Sequence, residues 1–165
     1  MALKVCKSGA LLTVDILSLL DSLDLSRFPD ALQTIVEHLE YAMGGTSGAL
    51  FCIFLTALSQ KLSHDPSIVF QDALYDSLKT LQQYTRARAG DRTLIDALEP
   101  FVTTLKETGD VQAATAAART GMEKTRKQIA SLGRATYVSE ENTTGVPDAG
   151  AVALVRLFEG FAKAW

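Results

Sequence analysis

Glycine and hydroxyl residues stand together in the short segment Gly44-Gly45-Thr46-Ser47-Gly48, between two apolar stretches with helical spacing. Glycines allow the backbone to approach a ligand closely, and the start of the following helix offers unpaired N–H groups and the positive end of its dipole. This combination predicts a cradle for a phosphate group. It is not a P-loop, because no lysine follows and no strand precedes it. A plain helix–helix turn, capped by the hydroxyl of Thr46 or Ser47, explains the same residues.

Arginine and aspartate residues mark further turns of the chain. The segment Arg86-Ala87-Arg88-Ala89-Gly90-Asp91-Arg92-Thr93 places three arginines around a Gly-Asp turn. These arginines could meet a phosphate, or the turn could be solvated with Asp91 as the cap of the next helix. Arg134 follows Gly133 at the start of a long segment without helical pattern, where it could clamp an anion. At the end of that segment, Asp148 is most simply the N-cap of a last helix.

Other catalytic chemistries find little support in the sequence. His38 and His64 have no histidine or cysteine at ligand spacing, and no serine–histidine or cysteine–histidine pair stands out. No close set of carboxylates suited to Mg²⁺ occurs, and the acidic residues of the helices are expected to be solvated. The sequence therefore predicts neither a protein nucleophile nor a metal site within residues 1–165.

The elements that would position these turns are helices. The apolar residues recur at helical spacing, and no useful run alternates as a strand would, so we predict an all-α bundle or closed ring of antiparallel helices joined by short loops. The predicted helices cover approximately residues 11–23, 29–43, 46–62, 66–81, 93–105, 111–130 and 152–164.

Several helix boundaries carry specific signals. Pro29-Asp30 and Asp65-Pro66 predict helix starts, because proline is favoured in the first turn. Thr108-Gly109-Asp110 predicts a helix end followed by the cap of the next helix. Pro100 should kink the fifth helix or mark its boundary.

Length and composition agree with a single domain spanning 1–165. The chain has 165 residues, of which 47% are apolar and 21% charged, with a formal net charge of −3. It is too apolar for a disordered protein and too acidic, without any basic cluster, for a general nucleic-acid binder. Residues 41–60 carry no charge, but their densely apolar part is too short for a membrane span. The two cysteines and the absence of a convincing targeting segment lead us to expect a cytoplasmic protein with reduced thiols.

Taken together, these segments resemble the nucleotide-binding DhaL-type domain of the dihydroxyacetone (glycerone) kinases. The resemblance rests on four motifs that occur in the family's order, namely Met43-Gly44-Gly45-Thr46-Ser47-Gly48-Ala49-Leu50-Phe51, Gly90-Asp91-Arg92-Thr93-Leu94-Ile95-Asp96-Ala97-Leu98, Gly133-Arg134-Ala135-Thr136-Tyr137-Val138 and Pro147-Asp148-Ala149-Gly150-Ala151. It extends over essentially the whole chain. It is closest to the single-chain ATP-dependent type, in which this domain is the C-terminal half.

The resemblance implies a closed barrel of eight antiparallel helices that binds ATP or ADP with Mg²⁺ among the loops at one end. It also implies the nucleotide contacts: Gly44, Gly45, Thr46 and Ser47 at the phosphates, Thr85, Thr93 and Leu94 beside the base and sugar, Arg134 facing the phosphates, and Asp148, Ala149 and Gly150 closing the site. Ala149 stands where the family usually has proline, which should loosen that loop.

The resemblance further implies parts that this sequence does not contain. The family holds two Mg²⁺ ions with three aspartates in a stretch that would lie before residue 1, together with two more helices. A separate DhaK-type domain binds dihydroxyacetone through a histidine. We therefore expect an N-terminally truncated, incomplete barrel whose family transfers the γ-phosphoryl group of Mg-ATP to dihydroxyacetone, and which is inactive on its own.

Two other functions remain open within the same fold. One is a non-catalytic binding or regulatory remnant, and the other is an ADP-holding subunit of a phosphotransfer-dependent dihydroxyacetone kinase. The long turn at residues 85–92 favours the ATP-dependent type over the second of these. An incomplete barrel would expose apolar surface, so association, including a homodimer, is a further expectation.

Overall fold

The computed structural model describes Leu19, residues 23–132, Thr136 and residues 145–164. Within these residues all regular structure is helical, which confirms the prediction of an all-α protein. The α-helices are α1 (Phe28–Ala42), α2 (Gly45–His64), α3 (Phe70–Tyr84), α4 (Ile95–Thr108), α5 (Val111–Lys124) and α6 (Ala149–Ala164), with single 3-10 turns at Leu25–Arg27 and Thr125–Lys127. The helix predicted at residues 11–23 lies almost entirely outside the described residues. The described helices fall into two compact units, divided between Ser67 and Ile68.

Unit 1 contains the antiparallel pair α1 and α2. Val36 and Leu39 of α1 form a buried cluster with Cys52 of α2. The Ser59 hydroxyl near the end of α2 donates to the Pro29 carbonyl at the start of α1, over 2.8 Å. Because the two helices are joined by only two residues, this contact requires them to run in opposite directions. Pro29 lies in the first turn of α1, as its sequence position predicted.

Unit 2 contains α3 to α6, and α4 packs against the other three helices. The pair α3 and α4 is antiparallel, because Gln82 near the end of α3 bonds Glu99 near the start of α4, at 3.3 Å between Nε2 and Oε1. The pair α5 and α6 is antiparallel as well, since the Gln112 side chain at the start of α5 donates to the Ala162 carbonyl at the end of α6. The antiparallel arrangement predicted from the sequence is therefore found within each unit.

The core of unit 2 is made by aliphatic and aromatic side chains that meet across these helices. Phe101 of α4 stacks on Phe158 of α6 with ring centroids 3.7 Å apart. The largest fully buried aliphatic side chains of unit 2 are Leu78, Leu81, Ile95 and Val102. This packing brings the loops of residues 85–94, 125–132 and 145–148 to the same end of unit 2, since these loops connect the facing helix ends.

Two predicted boundaries are wrong for identifiable reasons. Asp65 does not start a helix: its Oδ1 accepts hydrogen bonds from the N–H and the hydroxyl of Ser67, which closes a local turn, and α3 begins only at Phe70. The helix predicted to reach residue 130 ends at Lys124 instead. There the Thr125 hydroxyl donates to the Met122 carbonyl and accepts the Asp148 N–H, so contacts with another element replace further helical turns.

Other boundaries are as predicted. Gly109 ends α4 in the left-handed region, with φ +67°, and Asp110 caps α5 by accepting from two backbone N–H groups. Pro100, however, does not end α4, which continues from Ile95 to Thr108. Proline has no N–H to offer the Asp96 carbonyl. The backbone of α5 at Gly121 approaches that same carbonyl so closely that an added Cβ would collide with it.

Among the described helices, none combines the length and the apolar character that crossing a bilayer requires.

Candidate functional site

The glycine-rich segment of unit 1 begins helix α2. Gly44 is the N-cap and Gly45 is the first helical residue, with φ +82°. No side chain caps this helix, so the prediction that Thr46 or Ser47 acts as the cap is wrong. Thr46 and Ser47 lie two and three positions after the N-cap, inside the first turn, and both are exposed. The start of α2 therefore keeps its first N–H groups uncapped, with two exposed hydroxyl residues in the same turn.

Gly48 fixes how the chain enters this helix. It is buried, and a Cβ at this position would collide with the carbonyl oxygen of Met43, the C-cap residue of α1. Only glycine lets the two helix ends come this close. The spacing of the glycines in the segment thus reflects a tight helix–helix connection as well as an open helix N-terminus.

The second candidate segment is the loop of residues 85–94 in unit 2. The Asp96 side chain, only 2% exposed, holds this loop from inside. Its Oδ1 accepts the N–H of Gly90 at 2.7 Å, and its Oδ2 accepts the N–H of Thr93 at 2.8 Å. Gly90 has φ +112°, a conformation that only glycine adopts without strain. A buried carboxylate with two backbone partners is a stable arrangement, because both donors would otherwise be unsatisfied.

Two arginines of this loop donate to backbone carbonyls, although Arg88 stays exposed to solvent. Arg88 donates to the backbone carbonyls of Gln82, Thr85 and Ala87. Arg92 is 6% exposed and donates to carbonyls outside the loop. Arg92 is therefore buried and not part of a solvated turn, whereas a phosphate contact of these arginines stays a prediction.

Asp91 does not cap the next helix either. Its two carboxylate oxygens accept from the Arg88 N–H at 2.8 Å and from the Ser131 hydroxyl at 2.8 Å. These hydrogen bonds lower the pKa of the Asp91 carboxyl. The residue ties the loop to itself and to the segment after α5, whereas the first turn of α4 is held by Thr93, whose hydroxyl accepts the Ile95 N–H at 3.2 Å.

The third segment, Asp148-Ala149-Gly150, starts α6. Asp148 Oδ1 accepts the N–H of Ala151 at 2.9 Å, so Asp148 is the N-cap that its sequence position predicted. A Cβ added to Gly150 would lie 3.1 Å from the Leu94 Cβ. Two groups of predicted nucleotide contacts, Thr93-Leu94 and Asp148-Ala149-Gly150, are therefore adjacent in unit 2 although they are far apart in the sequence.

The electrostatic environment of Asp148 is unusual for a helix cap. Burial raises the pKa of its carboxyl, and the nearby carboxylate of Asp96 raises it further. The hydrogen bonds from the N–H groups of Ala151 and Gly150 and the positive charge of Arg92 oppose this rise. Asp148, Asp96 and Arg92 thus form a group of interacting charges at this end of unit 2.

The predicted site residues fall into three groups in the structure. Thr85, Thr93, Leu94, Asp148, Ala149 and Gly150 lie at one end of unit 2, whereas Gly44, Gly45, Thr46 and Ser47 lie at the helix connection of unit 1. Arg134 lies outside the described residues. The Thr85 hydroxyl accepts the Ala87 N–H at 3.1 Å, so it already holds the loop. In the parts of the chain that the structure describes, no three His, Cys, Asp or Glu side chains are grouped closely enough to hold a metal ion.

Sequence reasoning missed the residues that organise unit 2, above all Asp96, Arg92 and Thr125. Asp96 stands in a stretch of helical spacing, where an acidic residue is normally solvated. One signal was present: an aspartate placed three residues after Thr93 can bond the N–H groups ahead of its own helix. Nothing in the sequence marks Thr125.

The described residues define the class of protein: it is an all-α protein whose candidate ligand-binding residues lie in the loops between helices and at the starts of helices. A family model described as "DAK2 domain" matches residues 10–163. The chain therefore belongs to the DAK2 domain family.

Named relatives agree with this assignment. The dihydroxyacetone kinase of Pichia angusta is 43% identical over 175 residues, which cover 96% of this chain and 28% of that protein. The crystal structure of the dihydroxyacetone kinase of C. freundii in its native form matches with a TM-score of 0.79 and 34% identity, over 96% of this chain and 28% of that one. The same kinase in complex with AMP-PNP and Mg²⁺ matches with a TM-score of 0.76 and 34% identity, over the same shares of the two chains.

These similarities confirm the predicted family and the helical fold. The chain spans only 28% of the length of the Pichia angusta and C. freundii kinases.

Proposed function

We propose that this chain is the nucleotide-binding part of a dihydroxyacetone kinase, in which the γ-phosphoryl group of Mg-ATP is transferred to dihydroxyacetone. The observation that carries the proposal is the adjacency of Thr93-Leu94 and Asp148-Ala149-Gly150 at one end of unit 2. The similarity to a kinase whose structure contains AMP-PNP and Mg²⁺ supports it. By similarity to the family, these residues and Thr85 border the nucleotide.

A phosphate fits the residues at the start of α2. The first N–H groups of the helix have no capping side chain, and the dipole places partial positive charge there. Thr46 and Ser47 add hydroxyl donors in the same turn. We infer that Gly44, Gly45, Thr46 and Ser47 bind phosphate oxygens mainly through backbone N–H groups, with Arg134 as a further phosphate contact.

The chain's own contribution to catalysis is then positioning. Phosphoryl transfer needs the phosphates held in line with the acceptor and their charge neutralised, and it needs no protein nucleophile. Mg²⁺ bound with ATP would neutralise part of that charge. The described residues offer no group that could hold the ion, so we assign no catalytic step to it.

The rest of the enzyme belongs to the proposal as well. Because the chain spans 28% of its relatives, we propose that a separate DhaK-type domain holds dihydroxyacetone. We expect the chain alone to bind nucleotide weakly and to transfer no phosphoryl group. Homodimer formation and a cytoplasmic location stay predictions.

A chimera tests the proposed function directly. This chain would replace the matching 28% of the C. freundii kinase, with the N-terminal junction chosen so that the preceding part of that kinase is kept, and glycerone phosphorylation would be measured. We expect activity, and we expect Ser47→Ala to lower kcat/KM for ATP by about three- to tenfold, the loss of one hydrogen bond.

Ser63→Ala is the matched control, since Ser63 is also exposed and lies at the other end of the same helix. It should leave kcat/KM unchanged. A folded chimera without activity would refute the proposal that this chain serves a dihydroxyacetone kinase. Equal effects of the two serine substitutions would refute the role given to Ser47.

A further inference from the structure

Arg92 connects three segments of unit 2 through a single side chain. Its Nε donates to the Thr125 carbonyl at 3.2 Å, and its Nη2 donates to the Val146 carbonyl at 3.0 Å. The Thr125 hydroxyl in turn accepts the N–H of Asp148 at 2.8 Å. The guanidinium group therefore links the loop of residues 85–94 both to the turn after α5 and to the residues just before α6.

The backbone of Arg92 is held in an uncommon conformation. Its φ is +59°, the left-handed region that a residue with a side chain adopts only at a cost in free energy. Asp96 stabilises this conformation from both sides, because it accepts the N–H of Gly90 before Arg92 and the N–H of Thr93 after it. The conformation turns the Arg92 side chain into the protein, where it is 6% exposed.

The residues joined by Arg92 adjoin the predicted nucleotide contacts. Thr93 and Leu94 follow Arg92 directly, and Asp148 lies two residues after Val146. Gly150 packs closely on Leu94, because a Cβ added at position 150 would lie only 3.1 Å from the Leu94 Cβ. A shift of the 145–148 segment relative to Arg92 would consequently move Gly150 against Leu94.

We propose that Arg92 is a positioning residue: its guanidinium fork sets the register between Thr93-Leu94 and Asp148-Ala149-Gly150, and thereby the affinity of unit 2 for an adenine nucleotide. The affinity part rests on the proposed function, whereas the register part does not. The planar fork is the feature required, because its separate N–H groups reach two carbonyls at once. A lysine would keep the positive charge but could not span both acceptors in the same way.

The test uses the full chain with Arg92→Lys. Two-dimensional ¹H–¹⁵N NMR would report the amide signals of Leu94 and Gly150, and a titration with ATP up to millimolar concentration would give Kd. We expect both amide signals to shift and Kd to rise by about tenfold, the effect of losing a charged hydrogen bond. Thr125→Val removes the acceptor for the Asp148 N–H without altering the guanidinium, and we expect it to shift the Gly150 signal too, while Thr125→Ser retains the wild-type signal.

Leu105→Ala separates positioning from general stability. Leu105 is a buried residue of α4, the helix that begins just after Arg92. It lies ten positions after Ile95 and therefore about 15 Å along the helix axis from the start of α4. This substitution should lower the unfolding midpoint but leave both amide signals and Kd unchanged at temperatures where the protein is folded. The proposal is overturned if Arg92→Lys and Thr125→Val lower the midpoint while the Leu94 and Gly150 signals stay in place.

The two proposals fail separately. If the wild-type chain binds no ATP under any condition tested, including in the chimera, the nucleotide role is refuted. The shifts of the Leu94 and Gly150 amide signals in Arg92→Lys then still decide whether the guanidinium sets the register between the two segments. If the shifts occur and Kd for ATP is unaltered, the link between register and affinity is refuted.

Discussion

The two regions that contain predicted nucleotide contacts are built in different ways. At the start of α2 in unit 1, the helix N-terminus has no capping side chain, and Thr46 and Ser47 are exposed. At the end of unit 2, the loop around Arg92 is held by several side-chain hydrogen bonds, and the side chains of Asp96 and Arg92 are buried.

The difference indicates a division of tasks. Backbone donors at a helix start without a capping side chain are available to a ligand, whereas donors already bonded within the fold give shape and rigidity. Changes at the start of α2 should therefore affect binding with little effect on stability, and changes at the end of unit 2 should affect stability first. The following predictions test this contrast, from the largest expected effect to the smallest.

The largest effect is expected from Gly121→Ala in α5. The new Cβ would collide with the Asp96 carbonyl and lie close to Pro100, and neither group can move without displacing α4. We expect a loss of about 3 kcal/mol in the free energy of unfolding, measured by urea denaturation.

Gly160→Ala is the matched control, because Gly160 lies in α6 with no atom near its missing Cβ. That change should stabilise the protein by up to about 1 kcal/mol through helix propensity. If the two variants unfold at the same urea concentration, the close contact between α4 and α5 is not a feature of the protein in solution.

This contact also illustrates how far the sequence could be interpreted. The spacing of apolar residues predicted the helices, and Gly109 with Asp110 predicted one turn correctly, because periodicity and capping are local properties. Of the two outcomes predicted for Pro100, a kink or a boundary, the boundary does not occur. The packing of Gly121 against the freed Asp96 carbonyl can be recognised only in three dimensions.

The candidate site shows the same limit. The motifs around Thr93 and Asp148 could be found from residue types, and their adjacency followed only from a resemblance to a family. The residues that create this adjacency, Arg92 and Thr125, act through backbone carbonyls and a hydroxyl. Residue types do not reveal backbone acceptors, so the burial of Arg92 against two carbonyls could not be predicted from the sequence.

A smaller loss of stability is expected from Asp96→Asn. Asparagine at this position can accept a hydrogen bond from only one of the two N–H groups, those of Gly90 and Thr93, and its NH₂ group would face the other. We expect a loss of about 2 kcal/mol in the free energy of unfolding, because a buried donor is left unsatisfied. Asp72→Asn, which breaks a partly exposed ion pair with Lys106, should cost less than about 1 kcal/mol. Equal losses would mean that Asp96 does not hold the loop.

Thr46→Val tests the other side of the contrast. Removing an exposed hydroxyl from the first turn of α2 should change the free energy of unfolding by less than about 0.5 kcal/mol. It should weaken ATP binding by about threefold, measured by calorimetry or NMR titration. Thr34→Val, at an exposed position of α1, should alter neither quantity. A stability loss at Thr46 as large as that at Asp96 would remove the distinction between the two regions.

The smallest effect is expected in the pH dependence of stability at Asp148. Burial and Asp96 hold the pKa of this carboxyl above its ordinary value of 3.8 in the folded protein. The folded protein therefore binds the proton more tightly than the unfolded chain does, and this contribution to stability is present below pH 3.8 and is lost as the pH rises through the folded-state pKa.

Asp148→Asn keeps a capping side chain but cannot titrate. As the pH rises from about 4, the free energy of unfolding of the wild type should consequently fall relative to that of Asp148→Asn. Urea denaturation at several pH values between 4 and 7 measures it, with Asp110→Asn at the exposed cap of α5 as the control for removing a negative charge from a helix start. If the free energy of unfolding of the wild type instead rises relative to that of the variant, Arg92 and the backbone N–H groups lower the pKa of Asp148 by more than its burial raises it. The end of unit 2 would then resemble the start of α2 in stabilising negative charge.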